Sequence, residues 1–383
     1  MDKDRDKIYS NNIEAFFLLV RAGLFGRTKG MESFLPDEVD WAKVYQLAME
    51  QCVVGLVAEG IEIARAEWAK THDTPLVPKK WALQFASETM KLKQRNLDMN
   101  RFVAQIIYRL RKRDIYALLL KGQGVAQCYE RPLWRACGDV DLLLTEENFK
   151  KTKDYLLPIA SFSKMSNEHK KELAMKISNW LVELHGSLRC GFSSRIDREL
   201  DKVYHDTFCG GNVSSWMNGK VQVFTLGKEN EIFYVFAHFL NHFYKSGVGI
   251  RQICDWCRLL WTFRDSLDLN ALESRLKRMK LMSEWKAFGM FAIEYLGMPE
   301  EAMPFCSKDK KWERKARQIL TFVLKTGNMG HNRKKKVKVK SYLARKIKSS
   351  GQRICDLANH ITIFPIDTLR FFPGIFLNGL HQK

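Results

Sequence analysis

Several things are missing from this chain of 383 residues, and each absence removes a class of protein. Met1 to Asn11 is charged and has no apolar core of signal-peptide length. No apolar run reaches the roughly 18 residues that suggest a membrane helix. Ile361 to Leu380 is broken by Pro365, Asp367, Arg370 and Pro373, so it suits contact with a membrane surface rather than passage through one. The nine cysteines are odd in number and irregularly spaced. That excludes a disulfide scaffold and points to free thiols in a reducing, cytoplasmic setting. There is no internal repeat, and no low-complexity tract beyond one basic run. Neither a Gly-x-Ser-x-Gly elbow nor a P-loop is present, so serine-hydrolase and Walker-type ATPase readings lack support.

Acidic residues are outnumbered, 43 Asp plus Glu against 63 Lys plus Arg, which leaves a net charge of +20. A positive field of that size favours nucleotides, nucleic acid or lipid head groups. With 46% hydrophobic and 28% charged residues, the composition is that of a globular protein able to bury a sizeable core. The length predicts two compact units, or one with large additions.

The hydrophobic pattern changes twice along the chain. Val39 to Ala69 and Trp81 to Lys112 have helical spacing, separated by Pro75 and Pro78, and no strand signal precedes Ile115. Ile115 to Leu120 is a short apolar run ending in Lys121-Gly122, as a buried strand would. Gln123 to Tyr129 is a short helix candidate and Pro132 to Cys137 a loop. Asp139 to Leu144 is a second strand candidate, and Thr145-Glu146-Glu147 opens a helix. A polar connection follows before Leu181 to Leu188 and Val221 to Leu226, which alternate like strands. Glu231 to Tyr244, Ile250 to Phe263, Leu269 to Tyr295 and Trp312 to Leu324 read as helices. The expected class is α+β, a small mixed sheet flanked by N-terminal and C-terminal helical regions. Its expected divisions are a helical region over 1–112, an α/β core over 113–228, a helical region over 229–330 that closes the cleft, and a basic, apolar-ended segment over 331–383.

Gly138-Asp139-Val140-Asp141 carries the most chemistry. On a strand, residues i and i+2 share a face, so Asp139 and Asp141 would stand side by side. Like charges this close repel unless a cation lies between them. Carboxylates suit Mg²⁺, which is held through one or two of them together with substrate phosphates. Glu183, in Val182-Glu183-Leu184-His185 on the next expected strand, is the candidate third acid. The plainer alternative is a strand that begins at a solvated turn. Three leucines follow the pair directly, and Lys121 and Arg135 flank it, which favours a metal–phosphate site. Lys121-Gly122 could present backbone N–H groups to phosphate at a helix start, or merely turn the chain. Gly122-Gln123-Gly124 opens like a dinucleotide fingerprint, but Gln127 stands at the third glycine position and excludes it.

These residues resemble a known family. Leu118-Leu119-Leu120-Lys121-Gly122, then Tyr129, Pro132, Arg135 and Gly138-Asp139-Val140-Asp141-Leu142-Leu143, are similar to the uncharacterised nucleotidyltransferases, distant relatives of the polymerase-β type superfamily. Glu183-Leu184-His185, His238 to His242, Ile253 to Trp256 and Thr326 to His331 extend the likeness over roughly Lys91 to His331. The resemblance implies transfer of a nucleoside monophosphate from NTP, ATP being the expected one, to an acceptor hydroxyl not specified by the sequence. It implies a two-metal mechanism, with two Mg²⁺ or Mn²⁺ ions held by Asp139, Asp141 and Glu183. Lys121, Gly122, Arg135, Gly138, His185, His238 and His242 would then face the nucleotide. Lys121-Gly122 stands where the superfamily has Gly-Ser.

Other features have plainer readings. His238 and His242 share a helix face, but Phe239 stands where a zinc protease has Glu, so packing and hydrogen bonding are favoured over a metal role. His185 is either a phosphate or carboxylate partner or a satisfied structural histidine. Cys254-Asp255-Trp256-Cys257 sits inside an apolar helix with no further ligands at zinc spacing, which reads as buried thiols. His331 to Lys348 carries nine Lys or Arg. It supports an alternative in which an inactive nucleotidyltransferase fold binds nucleic acid or an anionic surface.

Overall fold

Three leucines in a row, Leu118–Leu120, form the first strand, β1, and the described chain before them is helix and loop. The helices are α1 (Asp2–Phe25), α2 (Trp41–Glu50), α3 (Val54–Trp68) and α4 (Lys79–Arg111). The structure is a computed structural model that describes residues 2–30, 36–167, 171–191, 193–328 and 357–372. The basic run 331–348, residues 329–331 of the Thr326 to His331 segment and residues 373–380 of the apolar stretch lie outside the described residues. The single helical stretch expected over Val39 to Ala69 is two helices, broken where Cys52 takes a φ of +56°.

Two compact units divide the chain. The first holds Met1–Ser87, His238–Cys257 and Lys280–Lys383, and the second Glu88–Ala237 and Arg258–Met279. In the first unit α1 and α3 approach at glycines. A Cβ on Gly60 would lie 1.9 Å from the Leu19 carbonyl oxygen, so no larger residue fits there. Aromatic edges fill the remaining core. Phe239 and Phe243 each meet Phe288 edge-on, at ring separations of 5.0 and 5.3 Å. The helices of this unit include α11 (Met282–Leu296), closed by Gly297 at φ +72°, and α12 (Lys310–Thr326), whose N-cap Asp309 accepts from the Lys311 N–H at 2.8 Å.

The second unit contains the sheet. After β1 come α5 (Gly122–Ala126), β2 (Val140–Leu143) and α6 (Glu146–Leu156). Thr145 caps α6, and two glutamates occupy its first turn, as its sequence predicts. The expected polar connection instead folds as β3 (Phe162–Asn167) and β4 (Glu172–Ile177), which lead into β5 (Trp180–His185). The spatial order is β1-β2-β5-β4-β3. β2 and β5 run parallel and the other pairs antiparallel, so the sheet is mixed. α7 (Ser194–Phe208) follows. Then β6 (Val213–Asn218) and β7 (Val221–Leu226) pair in a separate hairpin around Gly219, whose φ is +62°. The helices α8 (Lys228–Lys245), α9 (Ile250–Phe263) and α10 (Leu269–Met279) complete the element order. This is the expected α+β class.

Alternation along the strands sorts the sheet into two faces. Leu119, Val140, Leu142, Val182, Leu184, Leu173 and Met175 are buried in one cluster with Met99, Val103, Ile106, Ile107 and Leu110 of α4. Their neighbours at odd offsets must therefore point the other way. On β2 and β5 those neighbours are Asp141, Glu183 and His185.

Candidate active site

Asp141 on β2 is paired directly with Glu183 on β5 in the parallel register. Residues on one rung share a face, so the sheet itself sets two carboxylates side by side. His185, two residues beyond Glu183, shares that face, and so does Glu172, its antiparallel partner on β4. Ligand atoms of Asp141, Glu183 and His185 all lie within 4.8 Å of one another. His185 Nε2 is 2.8 Å from Asp141 Oδ1 and 3.8 Å from Glu183 Oε2, while its Nδ1 is 3.9 Å from Glu172 Oε1. Lys121 Nζ reaches the same Asp141 oxygen at 3.3 Å. Asp141 is 2% exposed and His185 is buried too, whereas the Glu183 and Glu172 side chains remain partly exposed.

The electrostatics follow from burial and these contacts. Burial opposes the Asp141 carboxylate, but Lys121 and the His185 hydrogen bond outweigh it and hold the carboxyl down to about 2. Burial also opposes the Lys121 ammonium, and Asp141 overcomes it, so the amine stays charged well above the ordinary lysine range. His185 is raised for a parallel reason, burial being outweighed by its bond to Asp141. Glu183 shows the opposite balance. Burial, then repulsion from Asp141 and Asp139, pushes it up to about 7. At neutral pH the face thus holds a fixed anion and a fixed cation beside a carboxyl that gives up its proton less readily than an ordinary glutamate.

The other expected residues take distinct places. Asp139 precedes the first residue of β2 and lies outside the tight three-residue cluster, although its charge acts on Glu183 and Lys121. Lys121 and Gly122 both have positive φ, +52° and +46°. That region is costly for lysine and natural for glycine, and such strain collects at functional sites. α5, the helix they open, has only five residues, and a Cβ on its Gly124 would lie 2.9 Å from Thr225 Cγ2 of β7. Arg135 is 5% exposed and turns into its own loop, donating to the Ala136 carbonyl and to Cys137 Sγ, each at 3.2 Å. Gly138 is exposed and a Cβ there would meet nothing within 4 Å. His238 and His242 belong to the first unit and pair with each other, Nε2 to Nε2 at 3.0 Å.

Three contributors escaped the sequence reading. Glu172 faces His185 from β4, and its strand alternates cleanly as Glu-Leu-Ala-Met-Lys-Ile, a signal that was there to find. Tyr234 on α8 is buried within electrostatic range of Lys121, and burial keeps its hydroxyl protonated. Arg95 on α4 donates to the carbonyls of Cys137 and, at 3.2 Å, of Gly138. No local pattern marks either of these last two.

A family model for uncharacterised nucleotidyltransferases matches residues 37–297, about two thirds of the chain. The chain belongs to that family. No curated protein and no solved structure matches it. Membership in the nucleotidyltransferase family implies an NTP substrate and a divalent cation, and the residues present fit such a cation. Two carboxylates and an imidazole converge, and a bound cation would offset the repulsion from Asp141 and Asp139 that adds to burial in raising Glu183. Oxygen donors suit Mg²⁺ and Mn²⁺, and the imidazole adds tolerance for softer ions. Among the described residues, no helix is long and apolar enough to cross a membrane.

Proposed function

We propose that this protein transfers a nucleoside monophosphate from NTP, with ATP the expected donor, to an acceptor hydroxyl. The observation that carries the reading is the single rung that pairs Asp141 with Glu183, beside Lys121 and His185. Asp139, Asp141 and Glu183 would hold Mg²⁺ or Mn²⁺. Such a cation, when bound, polarises the phosphate oxygens and offsets the charge that develops on them. Asp141 is kept ionised by Lys121 and His185, so it offers an anion across the physiological pH range. Lys121 and His185 together fix the direction of that carboxylate, and the Lys121 ammonium adds positive potential for the triphosphate. In the transfer, the acceptor oxygen forms a bond to the α-phosphorus and the bond to the bridging oxygen breaks. Pyrophosphate leaves with the electron pair, and the hydroxyl proton is lost to solvent.

The nucleotide-facing roles of Gly122 and His185 rest on their place near this rung. Those of Arg135, Gly138, His238 and His242 rest on the family resemblance. A second reading, polyanion binding without turnover, has in its favour the +20 charge and the basic run 331–348. Titration calorimetry with ATP and Mg²⁺ separates the two. The Asp139→Asn/Asp141→Asn double variant and the isosteric Glu183→Gln variant should lose metal-dependent ATP binding. Unchanged ATP binding in both would leave only the second reading standing.

A further inference from the structure

The loop Leu133 to Gly138 has little regular structure, yet it must deliver Asp139 and Asp141 to a site with sub-ångström demands. Two adjacent residues of α4 grip it. Asn96 donates through Nδ2 to the carbonyls of Leu133 and Arg135, both at 2.8 Å. Arg95 donates from its two terminal nitrogens to the carbonyls of Cys137 and Gly138, the two residues just before Asp139. The Arg95 guanidinium also lies over the Trp180 ring, 5.5 Å from its centroid. Trp180 opens β5, the strand that carries Glu183. One side chain therefore touches the approach to both acid-bearing strands. It projects from a helix whose other face is packed into the core beneath the sheet.

We infer that Arg95, seconded by Asn96, is a positioning residue that sets the Asp139–Asp141 carboxylates against Glu183. The inference rests on the reading of that rung as a cation site. A guanidinium suits the task because its planar fork satisfies two carbonyls at once, and lysine cannot match that geometry. The charge of Arg95 alone would have the opposite effect. A cation this near an acidic site repels divalent ions, so removing it should tighten their binding if charge were all that mattered. Positioning predicts looser binding, and the sign of the change distinguishes the two.

The test uses the full chain and Mn²⁺ alone as probe, with affinity read by electron paramagnetic resonance and folding by thermal denaturation. Arg95→Ala and Arg95→Lys should each weaken Mn²⁺ by about 10-fold or more, the usual scale for loss of an outer-shell support. Lys91→Met removes an equal charge one turn away on the same helix and should leave the affinity unchanged or slightly tighter. If Arg95→Ala does not fold, Arg95→Lys decides, because it keeps both charge and stem. Binding as tight as wild type in the folded Arg95 variants would overturn the inference and leave the site reading intact. Failure of the wild type to bind Mn²⁺ would overturn the site reading itself.

Discussion

Removing the Lys121 ammonium while keeping its bulk, as in Lys121→Met, isolates the buried charge pair at the centre of the site. Asp141 is 2% exposed and its oxygen is 3.3 Å from Lys121 Nζ. At an effective dielectric constant of about 20, that separation corresponds to an attraction of about 5 kcal/mol. Breaking one side of a buried pair typically costs about 3–5 kcal/mol, because the remaining charge stays desolvated and uncompensated. Lys121→Met should thus lower stability by about 3–5 kcal/mol at pH 7, with His185 left as the partner of Asp141. Asp141→Asn should do similar damage, since it strands the ammonium. The double variant Lys121→Met/Asp141→Asn removes both charges and should lose clearly less than the sum. A urea-unfolding cycle at pH 7 measures the difference, and a coupling of about 2 kcal/mol or more is expected. The acid limb provides a cross-check. The folded carboxyl of Asp141 is held at about 2 against 3.8, so its contribution is fully present above the unfolded value and fades as pH falls through the folded one. That loss, about 2 kcal/mol in the wild type, should shrink in Lys121→Met. Additive single-variant losses within about 0.5 kcal/mol would show that the two groups are not a unit, and the electrostatic account of the site would fall.

Other perturbations bear on the first unit and on the charged segment. Glu284 is fully buried, accepts from the Tyr244 hydroxyl at 2.9 Å, and is pushed by burial and by Asp367 from 4.5 up to about 8. The native state therefore retains a proton that the unfolded chain has lost, so stability falls as pH rises from 4.5 to 8, by about 5 kcal/mol at most. Glu284→Gln should flatten that slope in melting temperatures taken at pH 5 and pH 8.5, and an unaltered slope would contradict the assignment. Replacing Lys334, Lys335 and Lys336 with alanine should weaken heparin or RNA binding and make its salt slope shallower by up to about 3 units, one for each lost phosphate contact. Polyanion binding indifferent to both salt and these substitutions would remove the basic run from consideration.

Much of the site was legible locally. Asp-Val-Asp followed by three leucines announces a strand that is charged at its mouth and buried behind. The alternation around Glu183 places its side chain opposite Val182 and Leu184. The pairing of these strands is not local, however. β2 and β5 are neighbours although β3 and β4 intervene in sequence, and only that closure turns two separate acids into one rung. β4 was readable from Leu173, Met175 and Ile177, all buried, which alternate with Glu172, Ala174 and Lys176. α7 was equally readable from Ile196, Leu200 and Val203, and the β6–β7 hairpin from Asn218-Gly219. Arg95 was not readable at all. An arginine on a helix looks the same in sequence whether it meets water or two loop carbonyls. The same holds for Arg135, which flanks the acidic pair in sequence and donates to Ala136 and Cys137 of its own loop.

The two-faced sheet has a consequence for how this protein can change over evolutionary time. Deleting or inserting one residue within β2 would swap Asp141 with Leu142, placing a carboxylate among the apolar side chains of α4 and an isobutyl group among the acids. Chemistry and folding would be lost in the same event, so a change of strand length leaves no intermediate in which a sound scaffold merely idles. Inactive descendants should instead arise by point replacement of the charged side chains, with strand length preserved.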